Sequence, residues 1–337
     1  MATDVSTLTP ISITDVEGFS FGHWTDRTAA TGCTAIIAKN GATGGVDVRG
    51  GAPASRETDL LKPEQTVDVV HAVCLSGGSA FGLEAASGVA RELEARGIGL
   101  DVGPTRVPIV CSSCLFDLAF GDAFTRPGVE AGIFATCAAL DGDADTLEEG
   151  TVGAGTGATV GKLLGADRAM KGGLGARAFA LGELKVGAIA AVNACGNVVD
   201  PATGAPIAGA RDATDGTKIV DLEDGMLAAG TQLTMPLDRT NTTISCIVTN
   251  ACLTKAQATK VAQMAADAYA HVIRPTHTTN DGDTVYVLAS GGIADTAPDY
   301  PIDLLGLVAT RALEAALVAG CTEADGIHGL PAHCDVR

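Results

Sequence analysis

The chain has 337 residues, about the length of two typical domains or of one large α/β layer fold. Hydrophobic residues make up 46% and aromatic residues only 4%, so a core would be built mainly from Ala, Val, Leu and Ile. The formal net charge of −18 repels phosphate backbones, so we expect no nucleic-acid partner and interpret the acidity as a source of solubility.

Five short apolar runs are rich in β-branched residues and predict strands at residues 34–38, 69–75, 186–192, 243–249 and 284–289. Three longer runs with helical periodicity predict helices at residues 79–96, 254–273 and 303–319. The second helix opens with a capping box at Thr254 and Gln257, and the third is predicted to end at Gly320, as at a C′ glycine. Strands and helices mix along the whole chain without a Pro- or Ser-rich linker, so we expect one α/β unit over residues 1–337.

The first residues, MATDVSTLTPISITDVEG, contain neither the basic stretch nor the apolar stretch of a signal peptide. No run of about 18 uncharged apolar residues follows, so we expect a cytoplasmic protein with no membrane partner. Ten cysteines lie mostly in apolar segments, and we expect them to be reduced thiols. Cys111 and Cys114 form a CxxC pair without a second ligand pair, so no metal site is expected.

A glycine-rich stretch at residues 150–175 carries Lys162. One interpretation of this stretch is a mobile surface loop. We favour another, in which the glycines let the backbone approach a ligand closely and bring the lysine beside it.

The peptide bond between Asn241 and Thr242 joins a loop to the strand predicted at residues 243–249. Asn tolerates strained backbone, and a Thr hydroxyl beside a strained carbonyl can attack it in an N→O acyl shift. Hydrolysis of the resulting ester would leave Thr242 with a free α-amine, whose pKa of roughly 7.7–8.0 suits a general base for the adjacent hydroxyl. The alternative is that Thr242 and Thr243 are ordinary strand residues, and the local sequence by itself favours that alternative.

Seven segments place this bond in a wider pattern that runs from about residue 15 to residue 320. They are residues 46–52 (VDVRGGA), 74–85 (CLSGGSAFGLEA), 157–162 (GATVGK), 192–196 (VNACG) followed by Asp200, 241–249 (NTTISCIVT), 273–278 (IRPTHT) and 281–284 (DGDT). Each segment is a weak signal by itself. In this order they closely resemble the nylon-6 oligomer hydrolases of the DmpA-like, P1-type peptidase family.

This resemblance implies a four-layer αββα sandwich, in which two β-sheets lie between helical layers as in the N-terminal nucleophile hydrolases. It also implies a single catalytic domain that cuts itself into a large chain, 1–241, and a small chain, 242–337. The nucleophile would be Thr242, as in the nylon oligomer hydrolases, rather than the serine of the D-aminopeptidase and β-aminopeptidase members. The assembly that the family implies is a tetramer of cleaved heterodimers.

Four further residues match catalytic positions of the family. Lys162 would favour the deprotonated hydroxyl of Thr242 and keep the neighbouring amine neutral by like-charge repulsion. Asn193 would aim its side-chain NH₂ at the oxyanion, where loss of one donor typically costs about 100- to 1000-fold in kcat. Asp281 and Asp283 would orient the freed amine or attract the free amine of a substrate. Without the resemblance, the same residues would be a solvated loop lysine, a strand-end turn residue and a hairpin turn.

Three other positions carry separate expectations. Ser79 stands at the start of the first predicted helix and would line the substrate cleft, because free N–H groups point outward there. Phe116 stands where the nylon oligomer hydrolases have a tyrosine implicated near the oxyanion, and we expect it to contact substrate without donating a hydrogen bond. We interpret His277 as structural or as a support for the site, because the α-amine takes the role of the base.

The sequence therefore predicts an amide hydrolase without a cofactor, acting on ω-amino-acid oligomers of the nylon-6 type (6-aminohexanoate) or on short peptides. One alternative is an aminopeptidase for peptides and amides with β- or D-amino N-termini. Another is an unprocessed protein that binds ligands without chemistry. The acidity of the chain also allows attraction of cationic, amine-bearing substrates.

Overall fold

A computed structural model describes residues 8–142, 146–232, 241–293 and 299–336. The strands are β1 (Thr9–Ile11), β2 (Ser20–Asp26), β3 (Thr31–Val48), β4 (Ala54–Arg56), β5 (Val70–Ser76), β6 (Leu100–Asp101), β7 (Arg106–Val107), β8 (Val110–Cys114), β9 (Thr159–Val160), β10 (Met170–Lys171), β11 (Leu174–Leu181), β12 (Leu184–Asn193), β13 (Asn197–Val199), β14 (Pro206–Ala208), β15 (Thr242–Thr249), β16 (Ile273–Arg274) and β17 (Thr284–Ala289). The α-helices are α1 (Glu84–Ala95), α2 (Val129–Asp141), α3 (Leu222–Ala229), α4 (Lys255–Ala265), α5 (Asp267–Val272) and α6 (Ile302–Thr322).

Two β-sheets share the long strand β3. Its second half pairs with β17 and continues the order β1-β11-β12-β15-β17-β3, whereas its first half pairs with β2 and β5 and continues to β8 and β4. The register against β5 shifts between Ile37 and Ala42, and Gly41 in this stretch has a φ of 82°. Such an irregularity bends a strand, which lets β3 leave one sheet and enter the other.

Three apolar cores separate four layers of secondary structure. One core lies between the β12–β15–β17 sheet and helices α4 to α6, with Ile247 and Leu313 among its members. The second lies between the two sheets and contains Ile244, and the third lies between the other sheet and helices α1 and α2, where it contains Val89. Alternation along β15 explains why neighbouring residues reach different cores. The predicted four-layer αββα sandwich is confirmed.

The five predicted strands and three predicted helices are all present, with three corrections to the helices. The helix predicted at 79–96 begins as a 3₁₀ helix over Ser79–Leu83 and is α-helical over Glu84–Ala95. The helix predicted at 254–273 is capped by Thr254 as expected, but it is divided at Ala266 into α4 and α5. The third helix does not end at Gly320 and continues to Thr322. A Cβ on Gly320 would lie 2.7 Å from Val192 Cγ2. The glycine therefore serves close packing of α6 on β12, and it does not end the helix.

Helix α6 has 21 residues and a mean hydropathy of 1.6 in its most apolar window, so by length and composition it could cross a membrane. In this structure 72% of that window is buried inside the protein. Leu305, Ala309 and Leu313 face the core that lies against the sheet. Helix α6 is therefore buried as a core helix is, because the sheet already covers its apolar side.

Most of the glycine-rich stretch is buried, apart from an exposed segment at residues 164–167, and it contains a buried lysine. Lys171 is fully buried, and its Nζ donates to the carbonyl oxygens of Gly155 at 3.0 Å, Ala158 at 2.8 Å and Gly172 at 2.6 Å. Burial lowers the pKa of Lys171 to about 7, while three carbonyl acceptors match the three N–H donors of an ammonium ion. Around Lys171 the stretch is therefore part of the interior and not a surface loop, because this buried group binds three carbonyls of the surrounding turns.

Replacing Lys171 by Met should lower the free energy of unfolding by roughly 3 kcal/mol, because three buried carbonyls lose a charged donor. Denaturant unfolding of Lys171→Met and of wild type measures the difference. Lys260→Met, at an exposed position of α4, is the matched control and should stay within about 0.5 kcal/mol of wild type. Equal losses in both variants would contradict a structural role for Lys171.

Candidate active site

Thr242 is the first residue of β15 and lies directly opposite Asn193, the last residue of β12. Both residues are buried, with 5% of Thr242 and none of Asn193 exposed. The Thr242 hydroxyl donates a hydrogen bond to the carbonyl oxygen of Asn241. The hydroxyl is therefore next to the carbonyl group of the bond that the sequence predicts to be cut, while the eight residues before Asn241 lie outside the described part of the chain.

The Asn193 side chain connects this strand end to Lys162. Its Oδ1 accepts from Lys162 Nζ at 2.7 Å and from the Thr159 backbone N–H at 3.0 Å. Its Nδ2 donates to the Phe116 carbonyl oxygen at 2.9 Å. The donors around Oδ1 fix the orientation of the amide, because only the carbonyl side of an amide accepts from ammonium and N–H groups. One hydrogen of the Asn193 side-chain NH₂ group is therefore bound to the Phe116 carbonyl.

The backbone around Lys162 is pinned to the segment that follows β12. Lys162 N–H donates to the Cys195 carbonyl at 3.1 Å, and Gly161 N–H donates to the Gly196 carbonyl at 3.0 Å. Gly161 has a φ of 75°, and a Cβ there would lie 2.1 Å from the backbone nitrogen of Ala210. Only glycine fits this position, so the predicted role of the glycines in bringing the lysine close has a specific cause at residue 161.

The electrostatics of Lys162 are set by its surroundings. The side chain is partly buried, and its Nζ also donates to the Asn193 carbonyl at 3.0 Å. Burial lowers the pKa of Lys162 to about 7, and the negative charges of Asp281 and Asp117 act in the opposite direction. Lys162 therefore changes charge near neutral pH, which is the range in which a lysine can influence an adjacent amine and hydroxyl.

The turn that contains Asp281, Gly282 and Asp283 packs against Thr242. It leads into β17, which runs parallel to β15 with Thr284 beside Ile244. A Cβ on Gly282 would lie 3.0 Å from Thr242 Oγ1 and 3.1 Å from its Cγ2. The absence of a side chain at Gly282 lets the turn pack closely on the threonine.

Asp283 is a buried carboxylate that holds the strand next to the threonine. Its Oδ1 accepts from the Thr243 backbone N–H at 2.8 Å. Its Oδ2 lies 2.8 Å from His277 Nδ1 and accepts from the His277 backbone N–H at 3.2 Å. Asp283 therefore binds the residue after Thr242, and the His277 ring orients its carboxylate, in line with the interpretation of His277 as a support.

Asp281 is 2% exposed, and its Oδ2 accepts from the Thr278 backbone N–H at 2.6 Å. Burial raises the pKa of Asp281 to about 6, and the charge of Asp283 adds to this rise. The nearby charge of Lys162 acts in the opposite direction. The site thus contains a carboxylic acid, Asp281, and an amine, Lys162, whose shifted pKa values both lie close to neutrality.

A cavity of about 180 Å³ lies beside Lys162 and Asn241. Most of its wall is apolar, and the lining residues are Phe116, Asp117, Ala119, Phe120, Thr159, Lys162, Leu163, Gly165, Ala166, Ala169, Cys195, Asn241, Asn280 and Leu330. Phe116, which the sequence predicts to contact substrate, is among them. Pockets of this kind, with an apolar wall and a few convergent polar groups, are common ligand sites.

Ser79 is not among the residues that line this cavity, and the hydrogen bonds around it correct one part of its prediction, that free N–H groups point outward there. The N–H groups expected to be free are already bound: Gly78 N–H donates to Asp117 Oδ1 at 2.7 Å, and Ser79 N–H donates to the Leu115 carbonyl at 2.9 Å. Asp117 also accepts from the Thr31 hydroxyl at 2.7 Å, and burial raises its pKa. The sequence analysis does not identify Asp117 as a site residue. Its signal is an acidic residue that directly follows the apolar stretch containing β8.

Within the four described ranges, no group of three or more His, Cys, Asp or Glu side chains is arranged to hold a metal ion. The site is instead made of a hydroxyl, an ammonium group, an amide and two carboxylates. Such a set can activate a nucleophile and stabilise charge that develops on a carbonyl oxygen.

The αββα layers define the fold class of the N-terminal nucleophile hydrolases. The structure is similar to that of the L-aminopeptidase D-Ala-esterase/amidase from Ochrobactrum anthropi, described as a prototype for the serine aminopeptidases and a new variant of that fold. The TM-score is 0.67, over 95% of this chain and 88% of that chain. At 18% sequence identity this likeness shows the fold alone.

The sequence model of peptidase family S58 matches residues 12–334, and the chain belongs to this family. An uncharacterized aminopeptidase of Mycobacterium leprae is 40% identical over 346 residues, which cover 96% of this chain and 93% of that protein. The 6-aminohexanoate-oligomer endohydrolase of Paenarthrobacter ureafaciens is 31% identical over 279 residues, which cover 83% of this chain and 75% of that protein. The predicted family resemblance is confirmed, and the chain is a hydrolase that acts on amide bonds.

The raised pKa of Asp281 predicts a pH dependence of stability that Asp281→Asn should remove. The folded protein keeps the proton up to about pH 6, whereas the unfolded chain releases it near 3.8, so stability from this group is lost as the pH rises through 6. The free energy of unfolding of Asp281→Asn relative to wild type should therefore increase by roughly 2.5 kcal/mol from pH 4 to pH 7.

Denaturant unfolding at a series of pH values measures this difference. The exposed Asp299 supplies a matched control, since Asp299→Asn should differ from wild type by a constant amount across the same range. A constant difference for Asp281→Asn as well would refute the raised pKa.

Proposed function

We propose that the chain cuts its own Asn241–Thr242 bond and that the freed Thr242 is the nucleophile of the amide hydrolase. The observation that carries the proposal is the position of Thr242 at the start of β15, opposite Asn193 and covered by Gly282. Its hydroxyl bonds to the Asn241 carbonyl, the group that the acyl shift must attack. The family membership supports the same chemistry.

The cut would proceed in two steps. Thr242 Oγ1 attacks the Asn241 carbonyl carbon, the amide C–N bond breaks as the C–O bond of an ester forms, and the hydroxyl proton passes to the Thr242 nitrogen. Water then hydrolyses the ester, which leaves a carboxylate on Asn241 and a free α-amine and hydroxyl on Thr242. The large chain is then 1–241 and the small chain 242–337.

The cleaved enzyme would use the Thr242 amine as the base for its own hydroxyl. The oxygen attacks the substrate carbonyl, the amine product leaves with a proton, and water hydrolyses the acyl ester. Lys162 supports both steps, because its ammonium group favours the anionic oxygen and disfavours a charged amine beside it. Because the pKa of Lys162 is lowered to about 7, the strength of this effect depends on pH near neutrality.

We assign oxyanion stabilisation to the Asn193 amide together with backbone N–H groups. The amide is held firmly by Lys162 and by the Phe116 carbonyl, so little reorganisation is needed when charge develops. The Phe116 ring offers no hydrogen-bond donor, and its place in the cavity supports an apolar contact with substrate. Asp283 keeps the strand in position through Thr243.

As substrates we propose linear ω-amino-acid oligomers or short peptides. The apolar lining of the cavity supports an aliphatic acyl group, and a relative with 31% identity is named a 6-aminohexanoate-oligomer endohydrolase. A relative with 40% identity is named an aminopeptidase, which favours an aminopeptidase for β- or D-amino N-termini as the second candidate. A cytoplasmic tetramer of cleaved heterodimers belongs to the same proposal.

Purified wild-type protein should run as two fragments, 1–241 and 242–337, on a denaturing gel, and Thr242→Ala should remain at full length because it lacks the attacking hydroxyl. N-terminal sequencing of the small fragment should begin at Thr242. Thr243→Val is the matched control, since this neighbouring hydroxyl has no hydrogen-bond partner among the described residues. A single full-length wild-type band after long incubation would refute autocleavage and favour the unprocessed binding protein.

The processed enzyme should hydrolyse 6-aminohexanoate oligomers, with release of shorter oligomers measured by chromatography. The apolar wall of its cavity should favour the methylene stretch of a 6-aminohexanoyl group over an acyl chain with charged groups along its length. Thr242→Ala should release no product from the same panel. Hydrolysis of β-alanyl or D-alanyl amides without any hydrolysis of the oligomers would instead establish the aminopeptidase candidate.

A further inference from the structure

We propose that the C-terminal segment, residues 323–336, forms a fixed wall of the substrate cavity and that Leu330 limits the length of the acyl group that the cavity accepts. The proposal rests on the proposed function, because it takes the cavity beside Asn241 and Lys162 as the acyl site. It goes beyond that function by assigning a specificity-determining residue in a part of the chain that carries none of the predicted catalytic groups.

Leu330 reaches the cavity from a tight turn. The turn spans residues 327–330, where Leu330 N–H donates to the Ile327 carbonyl at 3.0 Å and the two residues form an isolated β-bridge. His328 has a φ of 51° and Gly329 a φ of 78°, so both central residues adopt the left-handed conformation of a type I′ turn. This turn fixes the direction in which the next side chain, that of Leu330, leaves the backbone.

Three hydrogen-bonded contacts tie the segment to the rest of the protein. Thr151 Oγ1 lies 2.8 Å from the Asp325 carbonyl oxygen and 3.0 Å from the Asp325 nitrogen. Lys171 N–H donates to the Pro331 carbonyl at 2.8 Å, and His333 Nδ1 lies 2.6 Å from the Ile207 carbonyl. Contacts on both sides of Leu330 make the segment a fixed wall, because its backbone cannot swing away without losing several hydrogen bonds.

An aromatic contact joins this wall to the other side of the cavity lining. The ring of Phe120 lines the cavity and meets the His328 ring edge-on, with centroids 5.8 Å apart and an interplanar angle of 85°. Leu330 and Phe120 both contribute to the apolar lining of the cavity, while Lys162 and Asn241 supply polar groups to it. An acyl chain that starts at Thr242 would meet this apolar region as it lengthens.

The size of Leu330 then decides how many methylenes fit. A methylene that finds buried apolar space improves kcat/KM by about fourfold, whereas one that meets an occupied wall gains nothing. All three anchors of the segment belong to the proposed large chain, and Leu330 belongs to the proposed small chain with Thr242. After cleavage, both chains would therefore contribute to chain-length selection.

The test uses processed wild-type enzyme, Leu330→Ala and Leu330→Trp with a series of ω-amino-acyl p-nitroanilides of increasing acyl length. Leu330→Ala should raise the ratio of kcat/KM for long over short acyl chains by about fourfold for each methylene gained, and Leu330→Trp should lower the same ratio. Leu307→Ala is the matched control, because Leu307 is 52% exposed on α6 and lies away from this cavity. It should keep the wild-type length profile.

A uniform change of kcat/KM across all lengths in both Leu330 variants would overturn the proposal while leaving the proposed function intact. A wild type that neither cuts itself nor hydrolyses any member of the series would overturn the proposed function, and this inference with it. If a Leu330 variant fails to process, thermal shifts of Thr242→Ala with and without the Leu330 substitution, measured with ω-amino acids of increasing length, give a second measure. Equal length dependence in the two proteins would then refute the role of Leu330.

Discussion

The antiparallel register of β12 against β15 is the constraint on which the site depends. It sets Asn193 directly opposite Thr242 at the ends of two central strands. The Asn193 Oδ1 then accepts a hydrogen bond from Lys162 Nζ at 2.7 Å. One strand pair thus brings the Thr242 hydroxyl, the Asn193 amide and the Lys162 ammonium group together. A slip of one residue would turn Thr242 to the other face of the sheet and separate all three.

Burial turns this arrangement into chemistry that operates near neutral pH. It lowers the pKa of Lys162 to about 7 and raises that of Asp281 to about 6, so both groups are close to their midpoints where an enzyme works. The opposite charges of the two groups moderate both shifts. The same low-dielectric environment strengthens the hydrogen bonds that fix Asn193 and Asp283, which keeps the donors and acceptors oriented.

Much of the fold could be predicted from the sequence, because periodicity and capping report local structure directly. The strand at 284–289 has the predicted bounds, and Thr254 caps its helix as expected. The sequence does not predict helix α2, because its N-cap residue is Gly128, which has no capping side chain, so the start signal is weak. Gly320 was misread as a helix end because a glycine used for close packing and a C′ glycine look alike in sequence.

The sequence by itself determined which residue types are present and in what order, and its family motifs indicated Thr242, Lys162, Asn193 and the two aspartates as one set. Only the tertiary structure decided how they are connected. Lys162 donates a hydrogen bond to the Asn193 side chain, Asp283 accepts one from the Thr243 N–H, and Gly282 packs against Thr242. It also decided that Asp117 and the Leu115 carbonyl bind the N–H groups that the sequence assigned to a ligand near Ser79, and that Leu330 borders the cavity. The physical reason is that these contacts join segments far apart in the chain, and their distances follow from sheet register and packing, which local sequence patterns do not encode.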